Sequence, residues 1–134
     1  GLVHRTKRGD EMNDKTLPGI EELRRRRKLA LEKTEKAVSA RPEQYRQIKR
    51  LVEDVLARPV EISEYYRIAR DLSRLLEQLN ASSPGSLFAY YHENIAPERK
   101  GDVRYFKMMC TDLRNQIHHL DQFRRSRHNI RIVQ

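Results

Sequence analysis

Little in this chain supports a covalent or metal framework. Its single cysteine, Cys110, excludes an internal disulfide and is compatible with a reducing compartment. Its five glycines are not clustered, so there is no glycine-rich phosphate loop, and nucleotide-binding folds of the Rossmann and P-loop types are excluded. No two histidines stand at the helical ligand spacing i, i+4; with one cysteine, neither a metal site nor a cofactor is expected. No apolar run approaches the length of a membrane span, and no charged-then-apolar opening resembles a signal peptide. The expectation is a soluble intracellular protein, cytoplasmic or nuclear, without a membrane partner. Alternating apolar stretches and hairpin dipeptides between strand-like runs are missing too, which argues against a sheet.

What the chain has is charge. Its 134 residues are one domain's worth, with 37% apolar and 35% charged residues, a balance that suits a small helical domain with basic extensions. The net charge of +9 is uneven: 15 basic against 8 acidic groups in residues 1–50, 4 against 8 in 51–98, and 9 against 3 in 99–134. Two basic ends flank a mildly acidic middle. Clustered positive charge gains from releasing counterions condensed on a polyanion, so nucleic acid is the expected partner, RNA ahead of DNA.

Apolar periodicity supplies the organisation. Residues 1–18 have none and are expected to form a disordered arm. A helical domain is expected over 19–123, and a fraying basic tail over 124–134. Within the domain, "IEELRRRRKLALEKTEKAVSA" has acids in its first turn and a thin apolar face of Ile20, Leu23, Leu29, Leu31 and Val38. "RPEQYRQIKRLVEDVLARP" opens on Pro42 at a first helical position, carries Tyr45, Ile48, Leu51, Val52, Val55 and Leu56 at helical spacing, and ends at Pro59. The next helix is expected to be capped by Ser63, with Ile68, Leu72, Leu75, Leu76 and Leu79 on one side. A shorter one is expected to start at Ser83–Pro84 and bury Leu87, Phe88, Tyr91 and Ile95. The last, capped by Asp102, carries Phe106, Met109, Cys110, Leu113, Ile117 and Leu120 as its stripe. The fold class is all-α, an antiparallel bundle of four to five helices joined by short connections.

Chemistry is suggested at one place, "RNQIHH", in that last helix. At about 100° per residue, with Leu113 at zero, Ile117 falls near ~40° and Leu120 near about −20°, which defines the buried stripe. Arg114 then lies near ~100° and His118 near ~140° on one shoulder, while Asn115 lies near ~200° and His119 near ~240° on the other side. Arg114, Asn115 and His119 together resemble the Arg-Asn-x-x-x-His signature of HEPN domains, small all-helical domains that often act as metal-independent ribonucleases. That resemblance implies an active site shared by two protomers, hence a homodimer that brings Arg114 of one chain toward His119 of the other. It also implies roles. The histidine would relay the proton of a ribose 2′-OH, Arg114 would hold the scissile phosphate, and Asn115 would orient the phosphate or the imidazole. His118 duplicates the histidine one residue early.

The remaining candidates are cationic. Arg24, Arg25, Arg26, Arg27 and Lys28 form an unbroken run suited to phosphates or to nuclear import, and Arg124, Arg125 and Arg127 follow the last helix. One tyrosine of each pair, Tyr65–Tyr66 and Tyr90–Tyr91, falls on a core stripe, so packing rather than base stacking is expected of them. Two functions are compatible with these features. One is an RNA-binding, HEPN-like endoribonuclease. The other is a non-catalytic helical module that holds nucleic acid or an acidic protein partner within a larger assembly.

Overall fold

Most of the helix boundaries, up to the start of the last helix, can be traced to a residue that ends or starts hydrogen bonding. The computed structural model describes residues 19–95 and 102–133, with side chains as far as Arg127. The expectation for residues 1–18 lies outside them. Five helices and no strand occur among the described residues: α1 (Ile20–Ala40), α2 (Pro42–Ala57), α3 (Ile62–Ser82), α4 (Phe88–Ile95) and α5 (Val103–Val133). The protein is an all-α helical bundle, as its periodicity required.

A single residue, Arg41, separates α1 from α2. Its N–H donates to the Ala37 and Val38 carbonyls at 3.0 and 3.2 Å, and its own carbonyl accepts from Tyr45 N at 3.1 Å. Pro42 follows at a position where a missing N–H costs nothing. At the α2–α3 corner the Arg58 guanidinium donates to Asp54 and to Glu64, the closest contacts being 3.0 and 2.8 Å, while Lys107 of α5 donates to the Arg58 carbonyl at 2.9 Å. Ser63 is not the cap expected there. Helix α3 begins at Ile62 on the Glu61 carbonyl, which accepts from Glu64 N and Tyr65 N, so Ser63 lies inside the first turn.

The α3–α4 connection also differs from expectation. Ser83 closes α3, and α4 starts at Phe88 instead of Pro84, because Gly85 adopts a φ of 90°, a left-handed conformation that ends any helical run. Two hydroxyls organise the loop. Ser86 Oγ accepts from Phe88 N and donates to Asn80 Oδ1. Thr34 Oγ1, buried under the loop, accepts from Leu87 N at 2.8 Å and donates to the Ala30 carbonyl at 2.7 Å. Asp102 caps α5 as expected, accepting from Arg104 N at 2.8 Å.

The expected stripes of α2 to α5 form one core. Ile48, Val52, Val55, Leu72, Leu76, Phe88, Ile95, Phe106, Leu113 and Leu120 are all buried, and α3 packs against each of the other four helices. Leu51, Leu56 and Leu87 are the exceptions: the first two are half-buried against the edge of the core, and Leu87 is half-buried above Thr34. Two further expectations are corrected. First, the thin apolar face of α1 leans on the domain only in part: Ile20, Leu23 and Leu29 are exposed, Leu31 packs against the edge of the core, and Thr34, Ala37 and Val38 are buried. Second, the chain does not fray after Phe123. Helix α5 continues to Val133, since "RRSRHNIRIV" contains no glycine or proline to end it.

Candidate nucleic-acid interface

The packing of α5 on α2 decides what its polar shoulder faces. With Leu113, Ile117 and Leu120 buried, Arg114 and His118 emerge beside α2 and, with Lys49 and Glu53, line an open groove floored by Val52 and Ile117. Arg114 is half-buried there and makes no hydrogen bond or ion pair with any described residue. Asn115 and His119 are exposed and do not line this groove. Within one chain, then, the geometry groups Arg114 with His118, and not with Asn115 and His119. The cause is the helical rotation: positions four apart stay on one shoulder, and positions five apart do not.

One turn further along, the seam becomes a fixed polar cluster. Asp121 of α5 accepts from Tyr45 Oη at 2.7 Å and from Lys49 Nζ at 2.9 Å. Burial and the carboxylate of Asp121 both raise the Tyr45 phenol above its ordinary range, so it stays a donor. Arg124 stacks on the same tyrosine, its guanidinium carbon 5.8 Å from the ring centre, and Lys49 Nζ lies 5.1 Å from that centre. A second open groove lies here, with Val38, Pro42 and Tyr45 as its floor and Arg46, Lys49 and Arg124 around it. Lys49 lines both grooves.

The cationic runs are placed differently. Arg24 to Lys28 are all exposed, on the half of α1 that buries no residue, and Arg27 is near enough to Tyr91 of α4 for its charge to favour the phenolate. Glu22 pairs with Arg25 at 2.6 Å and with Arg26 at 3.1 Å, and these hydrogen bonds hold its carboxyl down to about 2. Arg24, Arg27 and Lys28 remain without a carboxylate partner among the described residues. Of the α5 arginines, Arg124 belongs to the seam, Arg125 is exposed, and Arg127 is committed to Glu35 of α1 at 2.6 Å, leaning on Phe123.

Sequence reasoning did not single out Tyr45, Arg46, Lys49 or Asp121. The available signal was weak: Arg46 and Lys49 stand three apart on the edge of α2 beside its apolar stripe, a pattern shared by most amphipathic helices. Tyr65 and Tyr91 are buried and Tyr66 and Tyr90 exposed, as the stripes predicted. Among the described residues no group of three or more His, Cys, Asp and Glu side chains could hold a metal ion, and no helix is long and apolar enough to cross a membrane. Comparison with protein-family models, curated proteins and solved structures gives no match for this chain.

Proposed function

We propose that this chain is an RNA-binding helical domain, working in the cytoplasm or the nucleus. One observation carries the reading: five consecutive cations, Arg24 to Lys28, stand exposed on a helix half that buries no residue, with only one neighbouring acid pairing with them. Adjacent like charges repel, and a fold has no use for that arrangement by itself. A phosphate backbone relieves the repulsion and releases counterions as it binds.

A second reading extends the first, and it is favoured by the half-buried, unpaired Arg114 beside His118. In it the domain cleaves the RNA it binds, without metal. A histidine removes the ribose 2′-OH proton, the 2′ oxygen attacks the adjacent phosphorus, and the bond to the 5′ oxygen breaks as that oxygen is protonated. The product carries a 2′,3′-cyclic phosphate, and Arg114 offsets the charge that grows on the phosphoryl oxygens. Two copies of the chain, paired through α5, would supply His119 to the Arg114 of the other. In one copy alone, His118 is the histidine on the shoulder of Arg114.

Both readings are tested on one labelled single-stranded RNA. Anisotropy at about 50 mM salt should show binding at micromolar concentration or tighter, weakening steeply as salt rises. Replacing Arg24 to Arg27 by alanine should weaken it independently of sequence and flatten the salt dependence. No binding by the unmodified protein removes nucleic acid as its partner. Incubation of the same RNA with a chelator then separates the readings: cyclic-phosphate ends, lost in Arg114→Ala and in either His118→Ala or His119→Ala, identify the enzyme and its histidine. Binding without cleavage leaves a non-catalytic module.

A further inference from the structure

We propose that the second groove of the α2–α5 seam is a phosphodiester subsite, formed by Arg46, Lys49 and Arg124 over Tyr45, which leads a single RNA strand toward Arg114. The proposal rests on the RNA-binding reading and extends it to a site that no stretch of sequence indicates.

Three cations line this groove; Arg46 is paired with Glu43 at 2.7 Å and Lys49 with Asp121 at 2.9 Å, which leaves Arg124 as the one without a carboxylate partner among the described residues. Two of them are held in place before any ligand arrives. Arg124 is stacked on the Tyr45 ring, and Lys49 is pinned by Asp121, which Tyr45 Oη fixes from its other oxygen. Side chains already ordered lose less conformational entropy when they bind, so these cations hold an anion better than mobile surface lysines. Lys49 keeps two donors free after its bond to Asp121.

The first groove differs. There the carboxylates of Glu53 and Asp121 line the groove itself beside Arg114, so its affinity for an isolated anion is lower, and a phosphate is better retained if the same strand is anchored next door. Along α5, Arg114 and Arg124 are ten residues, or about 15 Å, apart, with Lys49 between them, a span that one strand covers with a few nucleotides. Shape selects the strand number. Two packed helices lie about 8–10 Å apart, and the concave seam between them admits a single backbone, whereas a duplex presents its phosphates on a stiff convex cylinder. No ring is free for stacking here, because Tyr45 is covered by the two cations. Recognition at this subsite is therefore of phosphate and not of base.

The test compares Lys49→Gln/Arg124→Gln with unmodified protein and with Arg104→Gln, whose side chain is almost fully exposed at the far end of α5. The probes are a labelled single-stranded oligouridylate, a duplex RNA of equal length and a polyglutamate peptide. The double variant should bind the single strand about tenfold more weakly, with the slope of log affinity against log salt reduced by about 1.4, two phosphates' worth for a single strand. Arg104→Gln should change neither. The double variant should keep the helicity and melting temperature of the unmodified protein by circular dichroism, which guards against a loss caused by misfolding. Unchanged affinity in the double variant, with Arg24–Arg27 replacement still weakening binding, overturns the subsite and leaves the RNA-binding reading intact. No RNA binding by unmodified protein overturns both. Equal Lys49-dependent binding of duplex or polyglutamate overturns the single-strand assignment.

Discussion

Thr34 shows how much of this fold hangs on one polar atom. It is 1% exposed, and its hydroxyl is the hydrogen-bond acceptor for Leu87 N in the loop where Gly85 breaks the helical run. Thr34→Val keeps the shape and the β-branch but leaves that N–H buried without a partner, which costs about 1–3 kcal/mol. Urea denaturation should show the loss as a lower midpoint with an unchanged slope, and an unchanged midpoint would mean the loop finds water instead. The polar residues of α5 belong to the opposite class. Arg114, His118 and His119 lie off the buried stripe, and such surface changes usually cost less than about 0.5 kcal/mol, so their alanine variants should remain folded enough for functional tests to be interpretable.

At the scale of elements, α1 is two helices in one. Its later turns are fastened by Ala37 and Val38 in the core and by the Glu35–Arg127 ion pair, in which Glu35 is only 15% exposed. Its first turns have helix-forming residues and a first-turn acid pair but bury no residue, and in isolation such a stretch is marginal in water. Amide exchange should therefore be fast over Arg24–Lys28 and slow over Ile68–Leu79. Arg127→Ala should cost about 1 kcal/mol and speed exchange around Glu35, because it leaves a mostly buried carboxylate without that partner. Exchange in α1 that is slow throughout and indifferent to Arg127 would contradict this division. The same ion pair explains why α5 has a role beyond Phe123: its continuation as helix carries Arg127 back to α1.

For the whole molecule, alkaline pH is the condition that acts on the core. Burial pushes the Cys110 thiol up to about 12 from an ordinary value of 9.0, and it also raises the Tyr45 and Tyr91 phenols, with help from Asp121 and Asp112. The fold thus favours the protonated forms, while the unfolded chain begins to lose these protons near its ordinary values. Above about pH 9 the unfolded state binds fewer protons than the native one, so stability falls as pH rises, by up to about 1.4 kcal/mol per pH unit for each such group. Denaturation midpoints should be level between about pH 7 and 8 and then decline, Cys110 contributing first and the tyrosines next. A midpoint that holds steady to about pH 11 would show that these groups are not buried in solution.

The amino-acid sequence by itself determined the helices and the residues they bury. Periodicity marked Ile48, Leu76, Phe106, Leu113 and the rest of the core, and single residues marked several ends: Pro42 opened α2 and Asp102 capped α5. These are local facts, written in the 3.6-residue repeat and in side chains that satisfy neighbouring backbone groups. Sequence misjudged what depends on a distant partner. It put Ile20 and Leu23 on an apolar face leaning on the domain, where they are exposed, and it read 124–134 as a fraying tail where a helix continues to Val133. The candidate interface was legible only in its charges. That Arg114 would share a groove with His118 followed from helical rotation, but that Lys49 and Glu53 would complete it did not. Tyr45 meets Asp121 across 76 residues of sequence, and Arg124 stacks on the same ring. Periodicity fixes which residues share one helix's face; which face of another helix they meet is set by how the side-chain ridges pack, and only the tertiary structure decides that.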